Sequence, residues 1–260
     1  MLRQFCQSIK RLESGANISK LRPTTFYKQQ RIFSRYYSCA TDTKKSSFEE
    51  MKNACRDPIV WIDCEMTGLD VFKDTIIEIC CIITDSKLNI LDAQGFESVI
   101  YKPKSVLDSM NNWCIEHHGK SGLTKKVLNA SSESKSLEKV EEALLEYIKK
   151  YVPLMGSAVL GGNTIHMDKF FMIREFPKVV DHLHYRVIDV SSISEICKRL
   201  NPELTKYQPR KKNCHTAKSD ILESIGQLKW FSKYYLKSDK EVDFNAVVLG
   251  GTGIGKLALK

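Results

Sequence analysis

Three strand-like segments in the first half of the sequence most constrain the fold. Residues 59–63 form a short apolar run suited to a buried strand, and residues 75–83, TIIEICCII, form a second run rich in β-branched residues. Residues 88–101 alternate less cleanly and predict a third strand. The turn TDSKLN at 84–89 indicates that the last two strands form a hairpin.

The rest of the sequence alternates between helical and strand-like patterns. Helices are predicted at 106–117, 136–151, 166–176, 191–200 and 216–236, and further strands at 158–162 and 185–190. The polar segment 201–214 contains two prolines and is typical of a loop. Early strands followed by helices that alternate with further strands predict an α/β fold with a mixed sheet.

The motif WIDCEMTGLD at 61–70 places two acids at the end of the first strand. Because side chains alternate along a strand, Asp63 and Glu65 lie on the same face. Two carboxylates that face the same way resist ionisation unless a cation neutralises them, and oxygen ligands of this kind suit Mg²⁺ or Mn²⁺. A solvated pair of acids is the alternative, but an apolar run leads into the motif and a glycine turn follows it.

Two later segments can bring further acids to the same edge of the sheet. GGNTIHMDKFF places Asp168 near the start of a predicted helix, and CHTAKSDILES places His215 and Asp220 around another. In α/β folds, ligands bind at the carboxyl ends of the strands. Four acids can hold two divalent cations for phosphoryl transfer, and a histidine can take the proton of the attacking water.

These residues resemble a known signature. Asp63, Glu65, Asp168, His215 and Asp220 are similar to the five signature residues of the DEDDh 3′→5′ exonucleases. WCIEHHGKSGL at 113–123 and HYRVIDVSS at 184–192 extend the likeness to the oligoribonuclease family, over roughly residues 57–236. The resemblance implies an RNase H-like, five-stranded mixed sheet flanked by helices, two bound Mg²⁺ or Mn²⁺ ions, and hydrolysis of short RNA, down to dinucleotides, to nucleoside 5′-monophosphates.

The resemblance also implies how the substrate is bound. Leu69 is similar to the family's wedge between two bases, and Trp113 to its stacking platform, although Trp113 could instead anchor its helix in the core. Hydroxyls at Thr164 and Ser191 match positions that hold the 5′ phosphate, with Thr164 where the family usually has serine. Tyr185 and Arg186 resemble residues that reach this phosphate from a second protomer, which implies a homodimer.

Other polar residues in these segments receive weaker predictions. Glu78, inside the apolar run 75–83, is expected to be a paired acid on the less buried face, with a place beside the metals as the alternative. His118 matches a family histidine of no assigned role, and His166 is expected on a helix surface. Phe170 and Phe171 replace the more basic residues common at these positions of the family.

The N-terminal region has the composition of a mitochondrial transit peptide. Residues 1–37 carry eight basic residues and one acid, a net +7 of the chain's +9, so the remainder is nearly neutral. A cut after Tyr37, in RYYS, would leave residues 38–56 as a linker, and Met51 could start a leaderless form. A basic arm that contacts RNA is the alternative to an import leader.

Three other functions agree less well with the sequence. The segment LGGTGIGKL at 249–257 imitates a phosphate-binding loop, but Leu257 replaces the required Ser or Thr. An inactive RNase H-like module is disfavoured because all five signature positions are filled. A related nuclease of longer RNA or DNA is disfavoured by Trp113, Tyr185 and Arg186. The tail 237–260 has no assigned role, and no apolar run is long enough to predict a membrane span.

Overall fold

A computed structural model describes residues 57–209 and 216–236. Five strands form one sheet in the order β3-β2-β1-β4-β5. The strands are β1 Ile59–Met66, β2 Ile76–Thr84, β3 Phe96–Val99, β4 Val159–Gly162 and β5 Val187–Asp189. The β3-β2-β1 half is antiparallel and the β1-β4-β5 half is parallel, which confirms the predicted mixed five-stranded sheet.

Nine helices are described in the same residues. They are α1 Lys104–Asp108, α2 Asn112–Lys120, α3 Leu123–Leu128, α4 Leu137–Tyr151, α5 Ile165–Glu175, α6 Pro177–His182, α7 Val190–Leu200, α8 Pro202–Thr205 and α9 Ala217–Tyr234. None of the described helices is long and apolar enough to cross a membrane.

The alternation of side chains along β1 divides the core between the two faces of the sheet. Val60 and Ile62 pack in a cluster with residues of α4 and α5, whereas Trp61 packs on the other face with residues of α9. All nine residues of β2 are buried, as expected for a strand that is covered on both faces. The central strands are therefore held between two layers of helix.

The predicted helix at 106–117 is wrong, because the chain forms two helices there. The helices α1 and α2 are separated at Ser109–Asn111, and the side chain of Asn111 accepts a hydrogen bond from the backbone N–H of Cys114 at 3.0 Å. An asparagine in this position starts a new helix, since it satisfies an N–H that has no partner within the helix. The break changes the direction of the chain just before Trp113.

Two further segments differ from the predictions. The third strand covers only Phe96–Val99 of the predicted 88–101, because Gly95 has a left-handed φ of 67° that interrupts the extended backbone. The turn predicted at 84–89 is present, and the carboxylate of Asp85 accepts hydrogen bonds there from the backbone N–H groups of Lys87 and Asn89. The segment predicted as a loop at 201–214 contains the short helix α8, capped by the side chain of Asn201. The part of this segment at 210–214 lies outside the described residues.

The first strand is longer than its parallel neighbour, and this difference creates the edge where the acids lie. Only Ile59–Trp61 of β1 pair with β4, whereas β1 continues to Met66. The chain leaves β4 at Gly162 and enters α5, and a Cβ at Gly162 would lie 2.8 Å from the Ile165 side chain and 3.1 Å from the carbonyl oxygen of Ile62. The glycine therefore allows α5 to begin close to the part of β1 that does not pair with β4.

Candidate active site

Two of the predicted site acids lie on the part of β1 that extends past β4. Asp63 and Glu65 are half-buried and share a face, while Cys64 between them points into the opposite core cluster. On the β2 side, Asp63 lies opposite Cys80, and Glu65 lies opposite Glu78. The strand thus fixes the direction of both carboxylates, as the spacing predicted.

The third acid comes from the first turn of α9. One carboxylate oxygen from each of Asp63, Glu65 and Asp220 lies within 4.8 Å of the other two. This helix is packed onto the sheet by buried residues such as Ile221 and Ile225, so the position of Asp220 follows from the core. Three carboxylates at this separation could hold a divalent cation, because oxygen donors are the ligands that Mg²⁺ and Mn²⁺ prefer.

Asp168 approaches the same strand from α5 and is buried. Its Oδ1 accepts a hydrogen bond of 2.9 Å from the backbone N–H of Cys64. Burial raises the pKa of Asp168 to about 7, although the hydrogen bond from Cys64 acts in the opposite direction. Asp168 is outside the group within 4.8 Å, but its charge contributes to the raised pKa of Glu65.

The site brings several carboxylates close together in a partly buried position. Burial, with smaller contributions from the charges of Glu78, Asp220 and Asp168, raises the pKa of Glu65 to about 7. Each of these effects opposes ionisation, so a cation bound among the acids would lower their pKa values again. The donor set therefore fits a divalent cation, both in its chemistry and in its charge.

Glu78 belongs to the surroundings of this site. It is buried, so the prediction that it lies on the less buried face is wrong, but it is paired, since its Oε1 lies 3.9 Å from Nζ of Lys126. Burial raises its pKa and the charge of Lys126 lowers it. A cavity of about 270 Å³ opens beside Glu65 and is lined by Glu78, Lys126 and Lys218, among others.

The proposed base, His215, lies outside the described residues, which resume at Thr216. Another histidine near the site, His118, is described. His118 is buried, and its Nε2 donates to the carbonyl oxygen of Met66 at 2.9 Å, so it fastens α2 to the end of β1. Burial lowers the pKa of His118, in keeping with a neutral ring in a supporting position.

The two predicted base-contacting residues both face solvent. Leu69 is 66% exposed on the loop that follows β1. Trp113 is 59% exposed at the start of α2, and its ring stacks on His117 with 3.9 Å between centroids. The alternative that Trp113 anchors its helix in the core is therefore wrong, and its indole ring is accessible to a ligand.

Two residues predicted to contact the phosphate, Thr164 and Ser191, share a partner, Asp189, that the sequence patterns did not predict. Asp189 is the N-cap of α7, and its Oδ1 accepts the backbone N–H of Thr164 at 3.0 Å and the hydroxyl of Ser191 at 2.5 Å. Its Oδ2 accepts Nδ1–H of His166 at 3.1 Å. His166 is exposed on α5, as predicted, but it is also a partner of Asp189. An aspartate directly before a helical pattern is the signal that could have indicated this cap.

Thr164 is held in an unusual backbone conformation at the N-cap of α5. Its φ of 56° lies in the left-handed region, which is disfavoured for a β-branched residue. Burial raises the pKa of Asp189, but the hydrogen bonds from Ser191, His166 and Thr164 outweigh this effect and leave the pKa lowered. The ionised carboxylate thus stabilises the strained turn that carries the Thr164 hydroxyl.

Tyr185 and Arg186 lie together on the segment between α6 and β5. Tyr185 is 63% exposed and stacks on His184, and the guanidinium carbon of Arg186 lies 5.3 Å from the centre of the Tyr185 ring. The backbone carbonyl of Tyr185 accepts Nζ–H of Lys169 at 2.6 Å, which fixes this segment to α5. Both side chains are exposed and can reach a molecule outside the protomer.

The closely spaced acids predict that the site destabilises the metal-free protein. The pKa of Glu65 is raised in the folded chain, so the folded chain holds more protons below about pH 7, and the free energy of unfolding falls as the pH rises toward 7. Asp220→Asn removes one of the repelling charges. We expect it to raise the melting temperature in EDTA at about pH 7.5 by about 2–4 °C, the shift that about 1 kcal/mol gives in a domain of this size.

At about pH 5 the difference between Asp220→Asn and the wild type should become small, because Glu65 is then protonated in the folded protein. Thermal unfolding followed by circular dichroism at the two pH values measures both effects. A variant that is less stable than the wild type at both would contradict the charge repulsion described above.

The chain is similar in sequence to known exonucleases. Residues 60–228 match the model of the exonuclease family RNase_T. The mitochondrial oligoribonuclease of Saccharomyces cerevisiae is 50% identical over 235 residues, which cover 87% of this chain and 86% of that protein. The human mitochondrial oligoribonuclease is 45% identical over 185 residues, 71% of this chain and 75% of that one. The oligoribonuclease of Chromobacterium violaceum is 43% identical over 180 residues, 69% of this chain and 96% of the bacterial protein.

Solved structures share the fold at low sequence identity. Exonuclease I from Methylocaldum szegediense superposes with a TM-score of 0.51 at 14% identity, over 69% of this chain and 41% of that one. The chain thus spans about two fifths of the length of that solved relative. Since the exonuclease family of the relatives has this RNase H-like sheet, the predicted fold class is confirmed.

The predicted mitochondrial location is confirmed by the relatives from yeast and human, whose names carry it. The predicted leader at 1–37, the linker at 38–56 with Met51, and the tail at 237–260 lie outside the described residues. The family model covers most of the described chain, and the identity to oligoribonucleases is high over most of its length. The chain therefore belongs to the exonuclease family RNase_T, within its oligoribonuclease branch, and is a nuclease.

Proposed function

We propose that this protein is a 3′→5′ exoribonuclease that hydrolyses short oligoribonucleotides, down to dinucleotides, to nucleoside 5′-monophosphates. The observation that carries the proposal is the convergence of Asp63, Glu65 and Asp220 within 4.8 Å at the end of β1. The names of its oligoribonuclease relatives support the substrate class. The near-neutral charge of the chain beyond residue 37 also favours short substrates, because long nucleic acid is bound chiefly by neutralising many phosphates.

The acids are the proposed ligands of two divalent cations, Mg²⁺ or Mn²⁺. Asp63, Glu65 and Asp220 supply the close group, and Asp168, fixed by the N–H of Cys64, supplies a fourth carboxylate from α5. Such cations supply electrostatic stabilisation of the charge that develops on the attacking and leaving oxygens. His215 is the proposed general base, which accepts the proton of the attacking water.

The remaining predicted residues are assigned to substrate binding. Leu69 inserts between the two bases, and the exposed ring of Trp113 stacks on one of them. The hydroxyls of Thr164 and Ser191 contact the 5′ phosphate, and Asp189 holds both residues through the backbone N–H of Thr164 and the hydroxyl of Ser191. Tyr185 and Arg186 reach the same phosphate from the second protomer of a homodimer, which explains why both are exposed in one protomer. A longer RNA chain cannot place an internal phosphodiester where this terminal phosphate is held.

The metal assignment is tested with Asp220→Asn. We expect the wild type to need Mg²⁺ or Mn²⁺ and to lose turnover in EDTA, and the variant to lose turnover of a 5′-phosphorylated dinucleotide by at least about 100-fold while it remains folded. Product release is measured by chromatography, and circular dichroism verifies the fold. Lys229→Gln, at an exposed position of the same helix, is a control. Wild-type rates in Asp220→Asn, or activity without divalent ions, would remove the metal assignment.

The role of His215 is tested by His215→Ala. General-base catalysis typically contributes about 100- to 10,000-fold to the rate. The variant should therefore show a fall in kcat of this size and a KM close to that of the wild type, measured with saturating Mg²⁺. Lys233→Ala, at an exposed position near the end of α9, serves as the control. A change that is confined to KM would indicate that His215 positions the substrate and would contradict its role as the base.

The preference for short substrates is tested by Arg186→Ala with RNA of two to ten nucleotides. Arg186 can donate two parallel hydrogen bonds to a terminal phosphate. Its loss should raise KM for the 5′-phosphorylated dinucleotide by about 10- to 100-fold and reduce the advantage of two-residue substrates over longer ones. Arg199→Ala, on the exposed face of α7, is the control. An unchanged length profile in Arg186→Ala would argue against the terminal-phosphate contact.

A further inference from the structure

The loop that carries Leu69 is exposed to solvent, but hydrogen bonds hold its backbone in place. The Leu69 loop, residues 67–75, exposes Leu69 and Phe72 by 66% and 77%. Thr67, Asp74 and Thr75 are buried or half-buried, in contrast, and their polar groups bind one another or the end of α5. Exposed apolar side chains on a rigidly held backbone are typical of a contact surface, because a loop without a ligand gains nothing from exposing them.

One carboxylate is at the centre of this arrangement. Asp74 accepts the hydroxyl of Thr67 on Oδ1 at 3.0 Å and the backbone N–H of Asp70 on Oδ2 at 2.9 Å. These two partners flank the Gly68–Leu69 dipeptide. The same hydroxyl oxygen of Thr67 accepts the backbone N–H of Thr75 at 3.1 Å, and the N–H of Thr67 donates to the carbonyl of Thr75 at 3.0 Å. Asp74 therefore fixes the backbone on both sides of Leu69.

Gly68 is required by the closeness of this carboxylate. A Cβ placed at Gly68 would lie 2.4 Å from Oδ2 of Asp74, well inside contact distance. Only glycine lets the backbone approach the Asp74 side chain so closely. Gly68 and the Asp74 side chain are thus in close contact next to Leu69.

The loop is also fastened to the helix that supplies a site acid. At the end of α5, Oε2 of Glu175 accepts the hydroxyl of Thr75 at 2.8 Å and the backbone N–H of Ile76 at 3.1 Å. The guanidinium of Arg174 donates to the carbonyl oxygens of Val71 and Asp74. Because α5 carries Asp168 in its first turn, the loop and the acids share a rigid support.

We propose that Asp74 is a positioning residue for substrate specificity, which holds Leu69 at a fixed place relative to the acids so that it can separate the two bases of a short RNA. The inference rests on the proposed function. It assigns to Asp74 and Gly68 no contact with substrate. Their effect passes through Leu69, so it should be seen only with substrates that present two bases.

The test compares two substrates on the same variants. The 5′-phosphorylated dinucleotide presents two bases, whereas a nucleoside 5′-p-nitrophenyl phosphate presents one base and the same type of phosphoester. Asp74→Ala should raise KM for the dinucleotide about tenfold, with kcat retained, because hydrogen bonds that hold Leu69 are lost. The p-nitrophenyl ester should be hydrolysed as by the wild type.

Two further variants act on the same contact. Asp74→Asn keeps an acceptor for the Thr67 hydroxyl but loses the one for Asp70, so its KM should lie between those of the wild type and Asp74→Ala. Gly68→Ala disturbs the contact from the opposite side and should reproduce the effect of Asp74→Ala. Binding of a labelled dinucleotide in EDTA, measured by fluorescence anisotropy, should weaken in the same order and does not depend on turnover.

Asp85→Asn is the matched control. Asp85 forms a similar set of hydrogen bonds, to Lys87 and Asn89, in the turn that follows β2, and no predicted substrate residue lies there. It should change neither substrate's kinetics. Equal losses on both substrates in Asp74→Ala, or no change in either, would overturn the positioning role. A wild type that neither binds nor hydrolyses the dinucleotide would instead overturn the proposed function itself.

Discussion

The site depends on one buried hydrogen bond, from the backbone N–H of Cys64 to the carboxylate of Asp168. It forms where β1 has continued past its parallel neighbour, so the N–H would otherwise lack a partner on that side. By accepting it, Asp168 fixes the start of α5 against the strand that carries Asp63 and Glu65. This one contact gives the N–H of Cys64 an acceptor and orients α5. It also places a fourth carboxylate beside the other three.

The accumulation of charge at this edge is unfavourable for folding and suited to binding cations. The pKa values of Glu65 and Asp168 are both raised to about 7, chiefly by burial. Glu78, opposite Glu65 in the sheet, adds to the negative potential. Nζ of Lys126 lies 3.9 Å from Oε1 of Glu78, a long ion pair that offsets only part of this charge. Such a group of acids is stable because β1, α5 and α9 are held by the core on both faces of the sheet, and proteins commonly place strain of this kind at functional sites.

The helix α5 links the separate parts of the proposed site. Thr164 at its N-cap is held by Asp189, Asp168 in its first turn is bonded to β1, and Glu175 at its end holds the loop of Leu69. The pattern of apolar residues predicted this helix and its end before Pro177, and the motif predicted Asp168. It did not predict the roles of Asp74 and Asp189, because these depend on how the chain folds back on itself to bring Thr67 and Asp70 to Asp74, and Thr164 and His166 to Asp189. Nor did it predict the break before Trp113, where the side chain of Asn111 competes successfully with a continuous helix.

Local sequence patterns are enough to predict the sheet-forming segments, the acids at the end of the first strand, and the family to which the chain belongs. Alternation along a strand and periodicity along a helix involve neighbouring residues, so they can be seen without the fold. The packing of distant segments, in contrast, exposes Trp113 to solvent, buries Glu78 opposite Glu65, and makes Asp74 and Asp189 each organise a turn. These properties depend on which backbone groups lose their partners when strands of unequal length and helices pack together, and no local pattern specifies that.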